Sequence, residues 1–184
     1  MTVLLRPYVT ADFEVLRNWF SDEASVVQWA GPDMRFPLDP VQFSKIQQET
    51  EGAAPGRWML SGLVGETVAA HAQVALDWQH GVARLARVTV SPAFRGKRLA
   101  QPFLRQIVDR VFAQEVFVRL ELNVYTSNTA AIATYSRLGF VEEGVRRSSV
   151  KVGAERWDTA ILALLRDEYD VIRTSAAGDV AVPE

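Results

Sequence analysis

The chain has 184 residues, enough for one domain whose core needs no metal or disulfide to fold. Hydrophobic residues make up 48% and charged residues 23% of it, a composition typical of globular proteins and not of disordered chains. The absence of cysteine excludes a disulfide framework, a thiolate zinc site, an iron–sulfur cluster and a cysteine nucleophile. The net charge of −2 argues against general nucleic-acid binding, and no apolar run approaches the roughly 20 residues of a membrane helix.

The first part of the chain is predicted to be mainly helical. A strand over residues 3–8 precedes a helix that Thr10 can cap, and a second helix ends before the proline-rich loop 31–40. Asp39 followed by Pro40 predicts the start of a third helix, because aspartate accepts hydrogen bonds from first-turn amides and proline fits the first helical position.

From residue 57 onward the pattern changes to strands rich in β-branched and apolar residues. The predicted strands cover residues 57–64, 67–78, 82–90, 116–125, 145–152 and 155–165. Between the third and fourth of these, an apolar stripe at helical spacing predicts a helix. The stripe consists of Leu99, Phe103, Leu104, Ile107, Val108, Val111 and Phe112. A short helix over residues 127–138 follows the fourth strand.

This order of elements predicts the α+β class in one domain over residues 1–172, followed by a flexible tail over residues 173–184. The central sheet should be mixed but mostly antiparallel, with helices at its flanks. Only the strands at 82–90 and 116–125 should be parallel neighbours, because they flank a crossover helix.

Charge is unevenly distributed along the chain. Residues 84–110 carry seven Lys or Arg against one Asp, whereas residues 1–83 carry five against ten acidic residues and residues 111–184 carry eight against eleven. A basic block in an acidic chain predicts one local anionic ligand, with chance clustering on a solvated face as the alternative. The acidic first part is, in turn, compatible with a cationic amine ligand.

The basic block contains Arg95-Gly-Lys-Arg-Leu-Ala100, which lies between a strand end and a predicted helix. Free amides and the helix dipole at such a helix start favour an anion, and Gly96 lets the backbone come close to it. The segment therefore predicts a pyrophosphate-binding loop. It has neither the Gly-x4-Gly-Lys-Ser/Thr pattern of nucleoside-triphosphate loops nor the three glycines of the dinucleotide fingerprint.

Together with a second motif, this loop resembles the GNAT superfamily of acyl-CoA-dependent N-acetyltransferases. Arg95-Gly-Lys-Arg-Leu-Ala100 is similar to the family's Gln/Arg-x-x-Gly-x-Gly/Ala loop. Asn128-Thr-Ala-Ala131 and Tyr135-Ser-Arg-Leu-Gly-Phe140 are similar to its Asn-x-x-Ala and Tyr-x-x-Leu-Gly-Phe signatures. The resemblance covers residues 3–172, and Leu5-Arg6-Pro7 with the final hairpin is most similar to the branch of ribosomal-protein N-terminal acetyltransferases.

The resemblance implies a GNAT-like fold whose parallel strand pair splays around a cofactor cleft. It implies acetyl-CoA as co-substrate, no metal, and Tyr135 as the catalytic acid that protonates the leaving thiolate; a half-buried core tyrosine is the alternative. Asn128 would bind the pantetheine arm, cap a helix, or do both. The other residues that the resemblance assigns to the cofactor are Val88, Val90, Arg95, Gly96, Lys97, Arg98, Leu99 and Ala100.

The loop departs from the family motif at two positions. Arg98 replaces the middle glycine, and we expect its side chain to point outward from the phosphates. Pro102 lacks an N–H, so the helix must begin close to Lys97 or Arg98 to keep the proline within its first turn.

The resemblance does not identify a general base. Many relatives use a glutamate in the strand before the loop, but here residues 82–90 contain Arg84 and Arg87 and no carboxylate. The remaining candidates are His71, Asp77, His80 and Glu121. None of them is preferred, because a water chain or an amine that is already neutral would also serve.

The favoured hypothesis is direct acetyl transfer from acetyl-CoA to a primary amine of a protein N-terminus or a small molecule. The alternatives are a CoA-binding sensor that has lost turnover and a phosphate- or nucleic-acid-binding domain that uses only the basic block. The expected partner is the amine acceptor, and a second copy in a homodimer is an open option. Neither nucleic acid nor a membrane is expected as a partner. Residues 1–8 lack the pattern of a signal peptide, so a cytoplasmic location is expected.

Overall fold

One seven-stranded sheet runs through residues 2–178, the part of the chain that the computed structural model describes. The strands are β1 (Leu4–Pro7), β2 (Arg57–Val64), β3 (Thr67–Asp77), β4 (Val82–Val90), β5 (Arg119–Tyr125), β6 (Val141–Val152) and β7 (Glu155–Leu165). The helices are α1 (Asp12–Leu16), α2 (Glu23–Ala30), α3 (Pro40–Gln48), α4 (Ala100–Phe112), α5 (Thr129–Arg137) and α6 (Arg166–Gly178). None of these helices combines the length and apolar character that a membrane crossing requires.

The strand order is β1-β2-β3-β4-β5-β7-β6, and every neighbouring pair is antiparallel except β4 and β5. The predicted parallel pair is therefore confirmed, although it joins only residues 82–85 to residues 119–122. The fifth strand begins at Arg119, later than expected. Val118 lies within the predicted range but precedes the observed strand, and its side chain is exposed.

Apolar side chains cover both faces of the sheet. All seven residues of the predicted stripe on α4 are buried and belong to one core cluster with residues of β2 to β5 and β7. A second cluster joins α1, α2 and α3 to Met59 of β2. The first cluster includes residues of β4 and β5, next to the point beyond residue 85 where the two strands diverge.

Of the two helix caps predicted in the first part of the chain, at Thr10 and Asp39, one is confirmed and one is wrong. The Asp39 side chain accepts a hydrogen bond from a first-turn amide of α3 at 2.9 Å, and Pro40 is the first helical residue, as predicted. The predicted cap at Thr10 is wrong, because α1 begins at Asp12 without a side-chain cap. Asp12 instead accepts hydrogen bonds from Arg6 and from Ser61, each at 2.7 Å.

The C-terminal helix α6 spans Arg166–Gly178 and therefore includes residue 173, where the predicted tail begins. It continues to Gly178, and its Tyr169 ring stacks on Phe112 with 4.7 Å between ring centroids. The Tyr169 hydroxyl also donates to Asp109 on α4 at 3.0 Å, so α6 is attached to the core. Residues 179–184 of the predicted tail lie outside the described residues.

Candidate active site

A cleft of about 1330 Å³ opens where β4 and β5 diverge. Strand β4 pairs with β3 along its length but with β5 only over residues 82–85. The opposite edge of residues 86–90 therefore has no strand partner in the described structure. Val88 and Val90 lie in this segment and line the cleft, as the sequence analysis expected of residues beside a pantetheine arm.

A bulge interrupts β4 at Arg87, where the register with β3 shifts between His71 and Gln73. Arg87 has a φ of 50°, in the left-handed region that few non-glycine residues adopt. The Trp29 indole nitrogen on α2 donates to the Arg87 carbonyl at 2.6 Å, which holds this conformation. Because a bulge bends its strand, it contributes to the separation of β4 from β5.

The loop after β4 has two residues in the left-handed region, Gly96 with a φ of 74° and Arg98 with a φ of 58°. Arg98 thus keeps a glycine-like backbone at the position where the family motif has glycine. Helix α4 begins at Ala100, slightly later than expected, and Pro102 still falls within its first turn. The missing N–H of the proline consequently costs no helical hydrogen bond.

The side chains of the loop separate into two groups. Arg95, Gly96, Arg98, Leu99 and Ala100 line the cleft, and the Arg95 Nε donates to the carbonyl of a β4 residue at 3.2 Å. Lys97 does not line the cleft; its ammonium lies over the Phe94 ring, 5.2 Å from the ring centroid. A direct phosphate contact by the Lys97 side chain, unlike one by its amide, would require that stack to open.

Replacing Arg98 by glycine is expected to raise the free energy of unfolding of the ligand-free protein by about 0.5 to 1 kcal/mol, because relief of left-handed strain exceeds the added chain entropy. The family motif has glycine here, so CoA can be bound without a side chain at this position, and CoA affinity should change less than tenfold. Urea unfolding and calorimetry measure both quantities. A tenfold loss of affinity would show that the guanidinium contacts phosphate.

Helix α5 positions both residues of the second motif. The Asn128 side chain accepts a hydrogen bond from the Ala131 amide at 3.2 Å and caps the helix. Its amide nitrogen remains free to donate, and Asn128 and Tyr135 both line the cleft. The capping role is confirmed, and the cofactor role of Asn128 stays a prediction.

Tyr135 is buried, with 7% of its surface exposed, and its ring packs edge-on against Phe140. The hydroxyl makes no hydrogen bond to residues 2–178, yet it is not sealed off from solvent. Burial raises the pKa of this phenol, so the group holds its proton at neutral pH. A neutral, unengaged hydroxyl in a cleft wall is chemically suited to donate a hydrogen bond to a developing anion.

None of the four candidate bases lines the cleft. His71 is 1% exposed, and burial lowers its pKa to about 3. Asp77 and His80 form a surface pair at 2.9 Å, and Glu121 is bonded to Arg84 at 2.8 Å. Their placement leaves deprotonation of an amine to water or to another cleft residue.

The wall of the cleft is strongly cationic. Four of its arginines belong to the basic block 84–110 that the sequence analysis identified, whereas three others come from outside that block and were not predicted. Seven arginines and one aspartate line it: Arg57, Arg84, Arg87, Arg95, Arg98, Arg137, Arg146 and Asp33. The acidic residues of the first part of the chain thus do not set the charge of the cleft. Several of these arginines are far apart in sequence, so only the topology reveals their grouping.

Comparison with known proteins agrees with this geometry. The model of the acetyltransferase (GNAT) family matches residues 14–140. The chain belongs to the GNAT acetyltransferase family. The resemblance carried by the loop and α5 motifs is therefore confirmed, including its ribosomal-protein branch.

Two curated relatives of this GNAT protein are N-acetyltransferases by name. The [ribosomal protein bS18]-alanine N-acetyltransferase of Salmonella typhimurium is 37% identical over 92 residues, which cover 50% of this chain and 59% of that protein. The N-alpha-acetyltransferase RimI of Mycobacterium tuberculosis is 30% identical over 132 residues, which cover 66% of this chain and 73% of that protein. The chain thus spans less than two thirds of the length of the Salmonella relative.

Solved structures confirm the GNAT fold. Spermidine N-acetyltransferase from Vibrio cholerae, in complex with CoA and spermine, matches with a TM-score of 0.78 at 16% identity, over 91% of this chain and 97% of that one. The ribosomal-protein-S18-alanine N-acetyltransferase from Escherichia coli matches with a TM-score of 0.67 at 24% identity, over 89% of this chain and 94% of that one. At these identities the likeness establishes the fold alone.

Proposed function

We propose that this GNAT protein transfers the acetyl group of acetyl-CoA to a primary amine of a protein N-terminus or a small molecule. The observation that carries the proposal is the free edge of β4 over residues 86–90, which leads into the cationic loop at the start of α4. Tyr135 lies on the wall of the same cleft. The names of the curated relatives support the same activity.

The described residues fit CoA at both ends of the cleft. The backbone of Val88 and Val90 can pair with the amides of the pantetheine arm, as an added strand would. Amides of residues 95–100, with the Arg95 side chain, suit the pyrophosphate, and a Cβ built on Gly96 would meet no protein atom within 4 Å. The free amide nitrogen of Asn128 can donate to the arm while its oxygen caps α5.

Acetyl-CoA would supply an activated thioester carbonyl. A backbone amide on the free edge of β4 would polarise the carbonyl oxygen. The Tyr135 hydroxyl holds a proton that it can give to the sulfur as the sulfur leaves. The acceptor amine would lose its proton to cleft water or enter neutral.

Isothermal calorimetry with CoA tests the first half of this proposal. CoA should bind far better than pantetheine without phosphates, and CoA at 100 times its Kd should stabilise the fold by about 2.7 kcal/mol. A complete lack of binding at millimolar CoA would overturn the proposal.

Gly96→Val should lower CoA affinity at least about tenfold, because a β-branched residue strains the loop and crowds the phosphates. Gly153→Val is the matched control, since Gly153 also has a positive φ, of 58°, and open surroundings, but does not line the cleft. Both variants should lose stability, while only Gly96→Val should weaken CoA binding. Equal CoA affinities in the two variants would contradict the assignment of the loop.

A CoA-binding sensor without turnover is the second candidate, favoured by the scarcity of carboxylates on the cleft wall, where Asp33 stands alone among seven arginines. Thiol release from acetyl-CoA with a panel of amines separates the two candidates. Release that depends on an amine supports the enzyme, whereas CoA binding with no release for any amine supports the sensor.

The same proposal places one domain over residues 1–172 and the protein in the cytoplasm. It includes no resident metal and no nucleic-acid or membrane partner. A homodimer is an option. The single sheet of all seven described strands supports the domain assignment. A ribosomal protein in the relatives' names supports the location. Light scattering of the purified protein tests the dimer.

A further inference from the structure

The arginines on the cleft wall differ in whether a carboxylate already neutralises them. Arg57 is paired with Glu49 at 2.8 Å, and Arg84 hydrogen-bonds to Glu121 at 2.8 Å. Arg87 has no carboxylate within 4.0 Å among residues 2–178. It is thus the one partly buried guanidinium on the described wall without an ion partner.

The hydrogen bonds of Arg87 are also incomplete. Its Nη1 donates to Gln73 Oε1 at 2.8 Å, while its Nε is buried without any partner in the described residues. A guanidinium keeps its charge under such burial, and a buried N–H without an acceptor is costly. Arg87 therefore brings a charge without a carboxylate partner among the described residues to the wall of the cleft, while its Nε is enclosed and does not itself face a ligand.

The position of Arg87 favours the acceptor over the cofactor phosphates as its partner. It lies three residues, or about 10 Å along the strand, before Val90, the last residue of β4, and the loop 95–100 follows only after that. It directly precedes Val88, whose backbone borders the proposed pantetheine arm. An anion bound by Arg87 would thus lie near the reacting end of the arm.

We propose that Arg87 binds a carboxylate of the acceptor, so that the substrates are amines that also carry a carboxylate. The inference rests on the acetyltransferase function proposed above. Two sources provide this chemistry: a free amino acid, and a peptide N-terminus with an acidic side chain. A polyamine does not, because its charges would face the arginine wall with only Asp33 to oppose it.

Matched acceptor pairs test the proposal by thiol release from acetyl-CoA. The first arm of the experiment compares amino acids with their α-carboxamides. The second arm of the experiment compares Ala-Glu-amide with Ala-Gln-amide. Spermidine serves as the polycationic acceptor. In at least one arm the carboxylate member should have a kcat/KM at least about tenfold above its neutral counterpart and above spermidine. The arm that shows the preference identifies the source of the carboxylate.

Substitutions of Arg87 assign the preference to this residue. Arg87→Met should reduce the ratio between carboxylate and neutral acceptors to within about twofold, while CoA affinity stays unchanged. Arg87→Lys keeps the charge and should retain part of the ratio, which covers the case that the methionine variant does not fold. Arg84→Met is the matched control and should keep the full ratio, since Arg84 is already bonded to Glu121.

Several outcomes would overturn the inference. These are an unchanged ratio in Arg87→Met, a loss of CoA affinity in that variant, a preference for spermidine or neutral amines, and CoA binding without acetylation of any carboxylate acceptor. Each of them leaves the CoA site intact as an assignment. Failure of the proposed function itself would be distinct, because the wild-type protein would then either not bind CoA or bind it and release thiol with none of the acceptors, whether carboxylate, neutral or polycationic.

Discussion

Replacing Tyr135 by phenylalanine is expected to lower turnover at least about tenfold while CoA affinity and fold stability stay nearly unchanged. Phenylalanine fills the same volume and keeps the edge-on packing against Phe140, so the core should not loosen. What is lost is the hydroxyl, whose pKa burial raises, and which has no hydrogen bond to satisfy within the described residues. Steady-state kcat on a confirmed acceptor measures the effect.

A second tyrosine of the same cleft provides the control for this experiment. Tyr125 on β5 is buried, lines the cleft and packs against Trp157. Tyr125→Phe removes a hydroxyl from the same environment, but outside the motif that carries Tyr135, and should leave kcat within about twofold. Wild-type turnover in Tyr135→Phe, or equal losses in both variants, would remove Tyr135 from the mechanism.

Elements with a local cause were predictable from the sequence. The stripe of α4 reflects helical periodicity within 14 residues, and the start of α3 follows from Asp39 and Pro40 alone. The bulge at Arg87 had no such signal, because no glycine or proline marks it. It is held by Trp29, which is 58 residues away in sequence. Helix α6 was overlooked because few of its residues are apolar.

The same distinction applies to the site. The loop 95–100 and the α5 motif are each contiguous in the chain, so their glycine, cations and tyrosine are recognisable from the amino-acid sequence alone. The cationic wall, by contrast, includes Arg57 on β2, Arg87 on β4 and Arg146 on β6, which only the strand order brings together. The same topology buries His71 behind β4 and removes it from the list of bases.

The burial of His71 should also make the protein sensitive to mild acid. The ring packs among aromatic side chains of the α1–α3 side, and Gln73 Nε2 lies 3.3 Å from its Nε2. Because the Gln73 oxygen accepts from Arg87, the Gln73 amide donates to His71 Nε2. The remaining proton of the neutral ring then lies on Nδ1, which is buried without a partner. A second proton would place a charge beside Arg87 in an apolar pocket.

The direction of the pH effect follows from the proton balance. Burial lowers the pKa of His71 to about 3, whereas the unfolded chain binds the proton near pH 6.5. The free energy of unfolding is therefore not reduced by His71 above pH 6.5. It falls as the pH falls, by about 2 kcal/mol between pH 6.5 and pH 4.5, because only the unfolded chain binds the proton. Burial opposes ionisation of the nearby Asp12, but hydrogen bonds from Arg6 and Ser61 lower its pKa. The stability that ionised Asp12 contributes is therefore lost only at more acidic pH.

Urea unfolding at several pH values should therefore show a slope close to one proton in this window. His71→Gln should remove most of that slope and retain acetyl transfer, because His71 does not line the cleft. His80→Gln is the control, since His80 is exposed and paired only with Asp77 at a turn. If the wild-type slope persists in His71→Gln, the acid sensitivity arises elsewhere, and if turnover collapses in a folded His71→Gln, the buried ring takes part in the reaction after all.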